Sequence, residues 1–165
     1  MNPTESKPDL RRIGELAFVE VLQVLMAMPA TVQNFPNHRD QEVSPDQMIS
    51  EVPFTGERFF GVVRLHLPLA FVMHVNCTIT GLDHPRTDSD TMLADPAGEL
   101  ANMVAGRVAA RLAGEGFPCN LGTPKVTIGA SDSAKPESGT DHVRSEFNCA
   151  DYSVSLELLC RYANP

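Results

Sequence analysis

Glu99 and Asn102 are the residues of this chain best suited to chemistry at short range. Spaced three apart, they project to neighbouring positions on one face of a helix. A carboxylate beside a carboxamide combines a negative charge with a group that both donates and accepts hydrogen bonds. Neither is a strong nucleophile, and no Cys/His or Ser/His/Asp arrangement accompanies them. The pair can instead orient a water and grip a cation on a partner. Hydrolysis of an already activated phosphoryl group asks for that, because positioning and charge stabilisation supply most of its catalysis. Blander roles stand beside this one. Glu99 near a helix N-terminus favours the dipole. Asn102 can hydrogen-bond to a neighbouring loop, and the face around both can pack on a second helix of the same domain.

The element that must position them is a helix over 95–116. Asp95 suits the N-cap, Pro96 the first helical position, and Gly114 with Gly116 the stop. At about 100° per residue, Leu100, Val104 and Val108 share one side, flanked by Met103 and Leu112. The opposite side carries Gly98, Glu99, Asn102, Gly106, Ala109 and Ala113. A solvated helix face normally bears long charged side chains. Here the two polar groups stand among Gly and Ala, so Gly98, Gly106, Ala109 and Ala113 form a face where another backbone can come close.

Around that helix the chain reads as α+β. Residues 1–8 form a loose polar tail, and residues 9–165 a single domain. Asp9 can cap a helix running to about Met28, followed by Pro29. A short strand fits 31–35. Residues 48–54 and 58–67 read as a hairpin through Thr55-Gly56-Glu57, with Pro53 confined to an edge, a bulge or a strand end. A short helix over 69–77 and a polar linker over 81–90 lead to the central helix. A strand over 124–129 and a flexible connection over 131–141 follow it. Two alternating strands, 143–149 and 152–162, then meet at an Ala150-Asp151 turn. Such an order predicts an antiparallel sheet with helices on one face. There is also a faint repeat: Gly14-Glu15-Leu16-Ala17 recurs as Gly98-Glu99-Leu100-Ala101, and Phe35-Pro36 recurs as Phe117-Pro118. Aligned on it, Phe18 stands at the place of Asn102, so only the second half keeps the polar pair.

Composition narrows the partners. The net charge of −8, with no basic run, argues against nucleic acid or an anionic membrane. The most apolar stretch, 16–28, contains Glu20 and Gln23 and is too short to span a bilayer. With no signal-peptide pattern at Met1, a soluble cytoplasmic protein is expected. Cys77, Cys119, Cys149 and Cys160 have no zinc spacing and read as reduced thiols. Asp83, Asp88 and Asp90 lack the calcium-loop spacing, so no metal of the protein's own is expected. His38, His66, His74, His84 and His142 are scattered and read as surface or packed residues.

The segment Gly98-Glu99-Leu100-Ala101-Asn102-Met103-Val104-Ala105-Gly106 closely resembles the signature helix of the CheX-type chemotaxis phosphatases, members of the CheC/CheX/FliY family marked by Glu-x-x-Asn. The strand Leu121-Gly122-Thr123-Pro124-Lys125-Val126-Thr127-Ile128-Gly129 is similar to that family's Pro-x-Val strand. The resemblance implies a CheC-like fold: tandem α-β3 repeats forming a mainly antiparallel sheet, with two long helices on one face. It implies removal of the aspartyl phosphate from a CheY-like response regulator. Asn102 would direct the attacking water in line with phosphorus, and Glu99 would form a salt bridge to the regulator's lysine. It further implies Mg2+ in the partner regulator's site, no cofactor of the chain's own, and a homodimer. A binding module without catalysis, docking on a receiver domain or a flagellar-switch-like assembly, is the alternative.

Overall fold

The computed structural model describes residues 7–33, 46–83, 91–129 and 136–163. Their elements, in order, are α1 (Leu10–Leu25), β1 (Ala30–Gln33), β2 (Gln47–Gly56), β3 (Phe59–Pro68), α2 (Leu69–Thr80), α3 (Thr91–Gly114), β4 (Cys119–Leu121), β5 (Lys125–Ile128), β6 (Thr140–Cys149) and β7 (Tyr152–Tyr162). The strands form one seven-stranded antiparallel sheet in the order β1-β6-β7-β3-β2-β4, with β5 also paired to β2. The expected α+β architecture is what the chain adopts.

Period-two alternation assigns the two faces of the sheet. Along β7, Val154, Leu156, Leu158 and Cys160 point to the helix side, where a Cβ placed on Gly14 of α1 would lie 3.0 Å from both Leu156 and Leu158. On β6, Phe147 faces the same way and packs on Phe18 of α1 at 4.3 Å between ring centroids. From α3, Leu100, Ala101, Val104, Val108 and Leu112 join this core. Burying an aliphatic side chain of this size is worth about 1.5–3 kcal/mol, so the stripe fixes which face of α3 remains outward.

Several local signals behave as expected. Asp9 caps α1, its side chain accepting from the Arg12 amide at 3.1 Å. The Ala150-Asp151 turn joins β6 to β7, with Ala150 at a φ of 53°. Pro53 lies inside β2 rather than at its end. The strand on its outer side is broken at that point: β5 pairs with residues 48–51 and β4 with residues 54–56. Pro53, having no amide to offer, sits opposite the break and accepts only from Gly122 N, at 2.8 Å. A Cβ on Gly122 would come within 2.7 Å of the Pro53 ring, so the close approach needs glycine.

Other boundaries differ from the sequence expectation. Asp95 is not an N-cap: α3 begins at Thr91 and Pro96 lies inside it. Leu93 and Ala97, 3% and 0% exposed, bury this first stretch against the core, and tertiary packing outweighs the proline signal. Lys7 and Pro8 do not belong to a loose tail. Pro8 is buried, and the Lys7 ammonium pairs with Asp141 at 2.9 Å and lies 4.6 Å from the centre of the Tyr162 ring. Residues 34–35 of the first expected strand, Asp88, Asp90, His38 and His84 lie outside the described residues.

The repeat is real but its helical register is not that of the shared tetrapeptide. The β2–β3 hairpin maps onto β6–β7 at a constant offset, 47 to 140, 56 to 149 and 59 to 152. Its axis passes between Arg64 and Glu157, which face each other in the β3–β7 ladder. In the helices the buried positions coincide as Leu10 with Ala97, Ile13 with Leu100, Ala17 with Val104, Phe18 with Ala105 and Val21 with Val108. The tetrapeptide alignment fails physically: it would equate Leu16, 44% exposed, with Leu100, fully buried. On the structural register, Arg12 and Glu15 take the places of Glu99 and Asn102. Glu20 and Arg107 become equivalent too, and these two form an ion pair at 3.5 Å across the helix seam.

Candidate functional site

Glu99 and Asn102 lie in the third turn of α3 and just beyond it, on the side turned away from the sheet. Glu99 is exposed and Asn102 half-buried. Neither forms a hydrogen bond or ion pair with a described residue. Glu99 is therefore too far from the start of α3 to serve the first turn, and Asn102 braces no described loop. The second long helix of the domain, α1, packs along the other flank of α3 and is tied there by Glu20. That carboxylate accepts from Arg111 at 2.8 Å and pairs with Arg107.

Beside the pair, α3 and β5 enclose a shallow cleft of about 480 Å³. Its walls are Ala94, Asp95, Gly98, Glu99, Asn102, Pro124 and Val126. The β4–β5 break described above delivers Pro124 to this wall. Gly98, expected on the open face, is instead buried under that strand: a Cβ added there would meet Val126 at 3.6 Å and Pro124 at 3.8 Å. Gly106 is open, with nothing within 4 Å of such a Cβ. Ala109 is half-buried and Ala113 exposed. The accessible face thus narrows to Glu99, Asn102, Gly106, Ala109 and Ala113. Asp95, read from the sequence as a cap, falls one turn before Glu99 and lines the same cleft.

An exposed carboxylate, a carboxamide with unused donors and an unused acceptor, and a low apolar wall make a surface that must be completed from outside. Nothing in it is a nucleophile. Among the described residues no group of three or more His, Cys, Asp or Glu is placed to hold a metal ion, and no helix is long and apolar enough to cross a membrane.

The densest cluster of charge lies elsewhere, on the sheet face away from the helices. Glu157 is buried there among His66 at 2.8 Å, Arg144 at 3.1 Å, and Arg64 and His142, each at 3.2 Å. Burial pushes its carboxyl pKa upward, but the hydrogen bond and charge of His66, then Arg64 and Arg144, pull it down to about 2. Glu146 and Glu51 extend the network through Arg144 and Arg64 at 2.8 and 2.7 Å. These groups pair with one another across β2, β3, β6 and β7, so they serve the framework. Sequence reasoning missed this cluster, although Arg64, Glu157, Arg144 and Glu146 all fall on the polar phase of their strands. The cysteines are free, Cys149 and Cys160 buried, and burial raises the Cys149 thiol to about 12.

A family model described as "Chemotaxis phosphatase CheX" matches residues 48–148, a span that contains all of α3. The chain belongs to the CheX family. Solved structures place its fold in the same company. It is similar to chemotaxis protein CheX from Vibrio vulnificus at 15% identity and a TM-score of 0.77, over 93% of this chain and 97% of that one. A CheC-like superfamily protein from Shewanella sp. PV-4 is similar at 17% identity and a TM-score of 0.77, over 98% and 99%. The CheX–CheY–BeF3–Mg2+ complex from Borrelia burgdorferi is similar at 14% identity and a TM-score of 0.67, over 94% and 99%. At these identities the likeness is one of fold. No match is found among curated proteins. For this CheX-family chain, the matched span contains both Glu99 and Asn102, while α1 lies outside it.

Proposed function

We propose that this chain hydrolyses the aspartyl phosphate of a CheY-like receiver domain, with Asn102 holding the attacking water and Glu99 gripping the receiver's lysine. One observation carries the reading: Glu99 and Asn102 stand side by side on an accessible helix face and are used by nothing else among the described residues. Family membership supplies the reaction class. The Borrelia burgdorferi relative is known in a complex with CheY, BeF3 and Mg2+. In the reaction proposed here the metal is the receiver's.

An aspartyl phosphate is already activated, since its leaving group is a carboxylate. The water must lie in line with the phosphorus–oxygen bond. The Asn102 carboxamide can accept a proton-side hydrogen bond from that water and donate to a phosphoryl oxygen. Glu99 meets the receiver's lysine as a point charge, which orients the two proteins and draws that cation to one side. The open backbone at Gly106 lets the receiver approach closely. A homodimer belongs to the same reading, and sedimentation tests it.

The decisive experiment is phosphate release from a phosphorylated receiver domain. The wild type is expected to exceed spontaneous loss, and Asn102→Ala to lose about 100-fold of that acceleration. Glu99→Ala is expected to act mainly through KM. A wild type that binds the activated receiver yet releases phosphate no faster than the receiver alone would leave only a docking module.

A further inference from the structure

The cleft beside Glu99 and Asn102 has an outer end that this pair does not use. After α3 the chain turns back along the helix: the Phe117 amide donates to Leu112 O at 2.8 Å, and Pro124 and Val126 then pack beside Gly98. Strand β5 therefore runs toward the start of α3. Ile128 lies about 7 Å past Val126 along the strand, on the same side of it. Met92 lies about 9 Å before Gly98 along the helix. Both stand at the same end of the cleft, and both are large apolar side chains left open, Met92 45% and Ile128 41% exposed.

Asp95 stands between that apolar end and Glu99. It follows Met92 by three residues and precedes Glu99 by four, so the three share one face of the helix. Asp95 is exposed and makes no hydrogen bond or ion pair with a described residue. As the fifth residue of α3 it lies past the first turn, where a carboxylate would serve the helix dipole. Like charges at i and i+4 repel, so Asp95 and Glu99 burden the helix while the chain stands alone. Lys125 offers no relief from β5, because it falls on the opposite side of the strand from Val126. A carboxylate without a cation, next to open apolar side chains, is complementary to a basic residue. The methylene stem of such a residue covers apolar surface while its head meets the charge.

We infer that the receiver docks through a second basic side chain, distinct from the lysine at Glu99, with its stem over Met92 and Ile128 and its charge on Asp95. That the partner is a receiver domain rests on the phosphatase reading. The second cation selects among receivers, since one that lacks it leaves Asp95 unpaired.

The test is a binding titration of the full chain against a panel of CheY-like receiver domains, each activated with BeF3 and Mg2+, followed by double-mutant cycles on the tightest binder. Asp95→Asn is expected to raise Kd about tenfold, and Met92→Ser with Ile128→Ser to raise it about as much. Lys and Arg residues of the receiver are then changed singly to Gln. One outside the phosphorylation site should couple to Asp95→Asn by about fivefold, and to Glu99→Gln by less than about twofold. Asp95→Asn should melt no lower than the wild type, because it relieves the repulsion with Glu99. Binding by no receiver would sink the phosphatase reading and this inference with it. Binding that either variant leaves unchanged, or coupling of Asp95 only to the lysine that Glu99 meets, overturns this inference alone.

Discussion

Helices α1 and α3 occupy equivalent places in the two halves, yet only one is left open for work. On the structural register Arg12 corresponds to Glu99 and Glu15 to Asn102. Glu15 is already engaged, accepting a hydrogen bond from Ser145 Oγ at 2.8 Å and pairing with Arg11 at 3.8 Å. Arg11 stands where α3 has Gly98, and its guanidinium reaches across to Arg144 O at 2.9 Å. In α3 the same place is a glycine beneath Val126 and Pro124, and the cleft stays clear. The scaffold position therefore does not make a site. Small residues and unpaired polar groups at that position do, and α1 has filled both roles with its own internal contacts.

The largest effect expected from testing this contrast is at Phe18. If it is a core residue equivalent to Ala105, rather than a lost Asn102, Phe18→Ala should cost about 3–5 kcal/mol in denaturant unfolding. A cost near zero would restore the tetrapeptide alignment. Next comes the pair of ion pairs on the two-fold axis. Glu157 in the sheet is buried and Glu20 between the helices is not. Glu157→Gln should destabilise by about 3 kcal/mol at neutral pH. Its carboxyl is held near 2 in the fold against 4.5 unperturbed. The stabilisation is thus full above about pH 4.5 and disappears as pH falls toward 2. Melts across that window should slope steeply for the wild type and more gently for the variant.

A graft then asks whether the site can be moved. On the phosphatase proposal, Arg12→Glu with Glu15→Asn, in the Asn102→Ala background, should recover no activity, because Arg11 still covers the position of Gly98. Recovery to wild-type rate would mean that the exposed pair alone suffices. The smallest effect belongs to Glu20→Gln, which should shift stability by 1 kcal/mol or less, about what a partly exposed pair contributes.

Much of this was legible beforehand, for identifiable reasons. The alternation of Val154, Leu156, Leu158 and Cys160 against Ser153, Ser155 and Glu157 is a strong period-two signal, and β7 follows it. The outward placement of Glu99 and Asn102 follows from Leu100, Val104 and Val108 facing inward, which periodicity alone dictates. What misled was punctuation and identity. Asp95-Pro96 has the chemistry of a helix start, but Leu93 had apolar surface to bury and drew the helix upstream. Gly-Glu-Leu-Ala occurs twice, but four identical letters carry no phase, and the two copies present different sides to the core. Strand β4, three residues with two of them exposed, has no pattern to detect. Lys7 over Tyr162 joins residues at opposite ends of the chain, a contact with no local signature.

The gap between β4 and β5 has a bearing on assembly as well. A sheet edge invites a neighbour in proportion to its uninterrupted row of free amide and carbonyl groups. On the β4–β5 side that row is split into runs of three and four residues by Gly122, Thr123 and Pro124; on the other side β1 covers residues 146–149 of β6, and no described strand lies outside Thr140–Ser145. Strand addition by another chain would gain only a few hydrogen bonds along the broken β4–β5 margin. Copies of this domain that join along β4–β5 must do so chiefly through side chains, so the interruption that shapes the cleft wall also makes that margin a poor template for a continuous sheet.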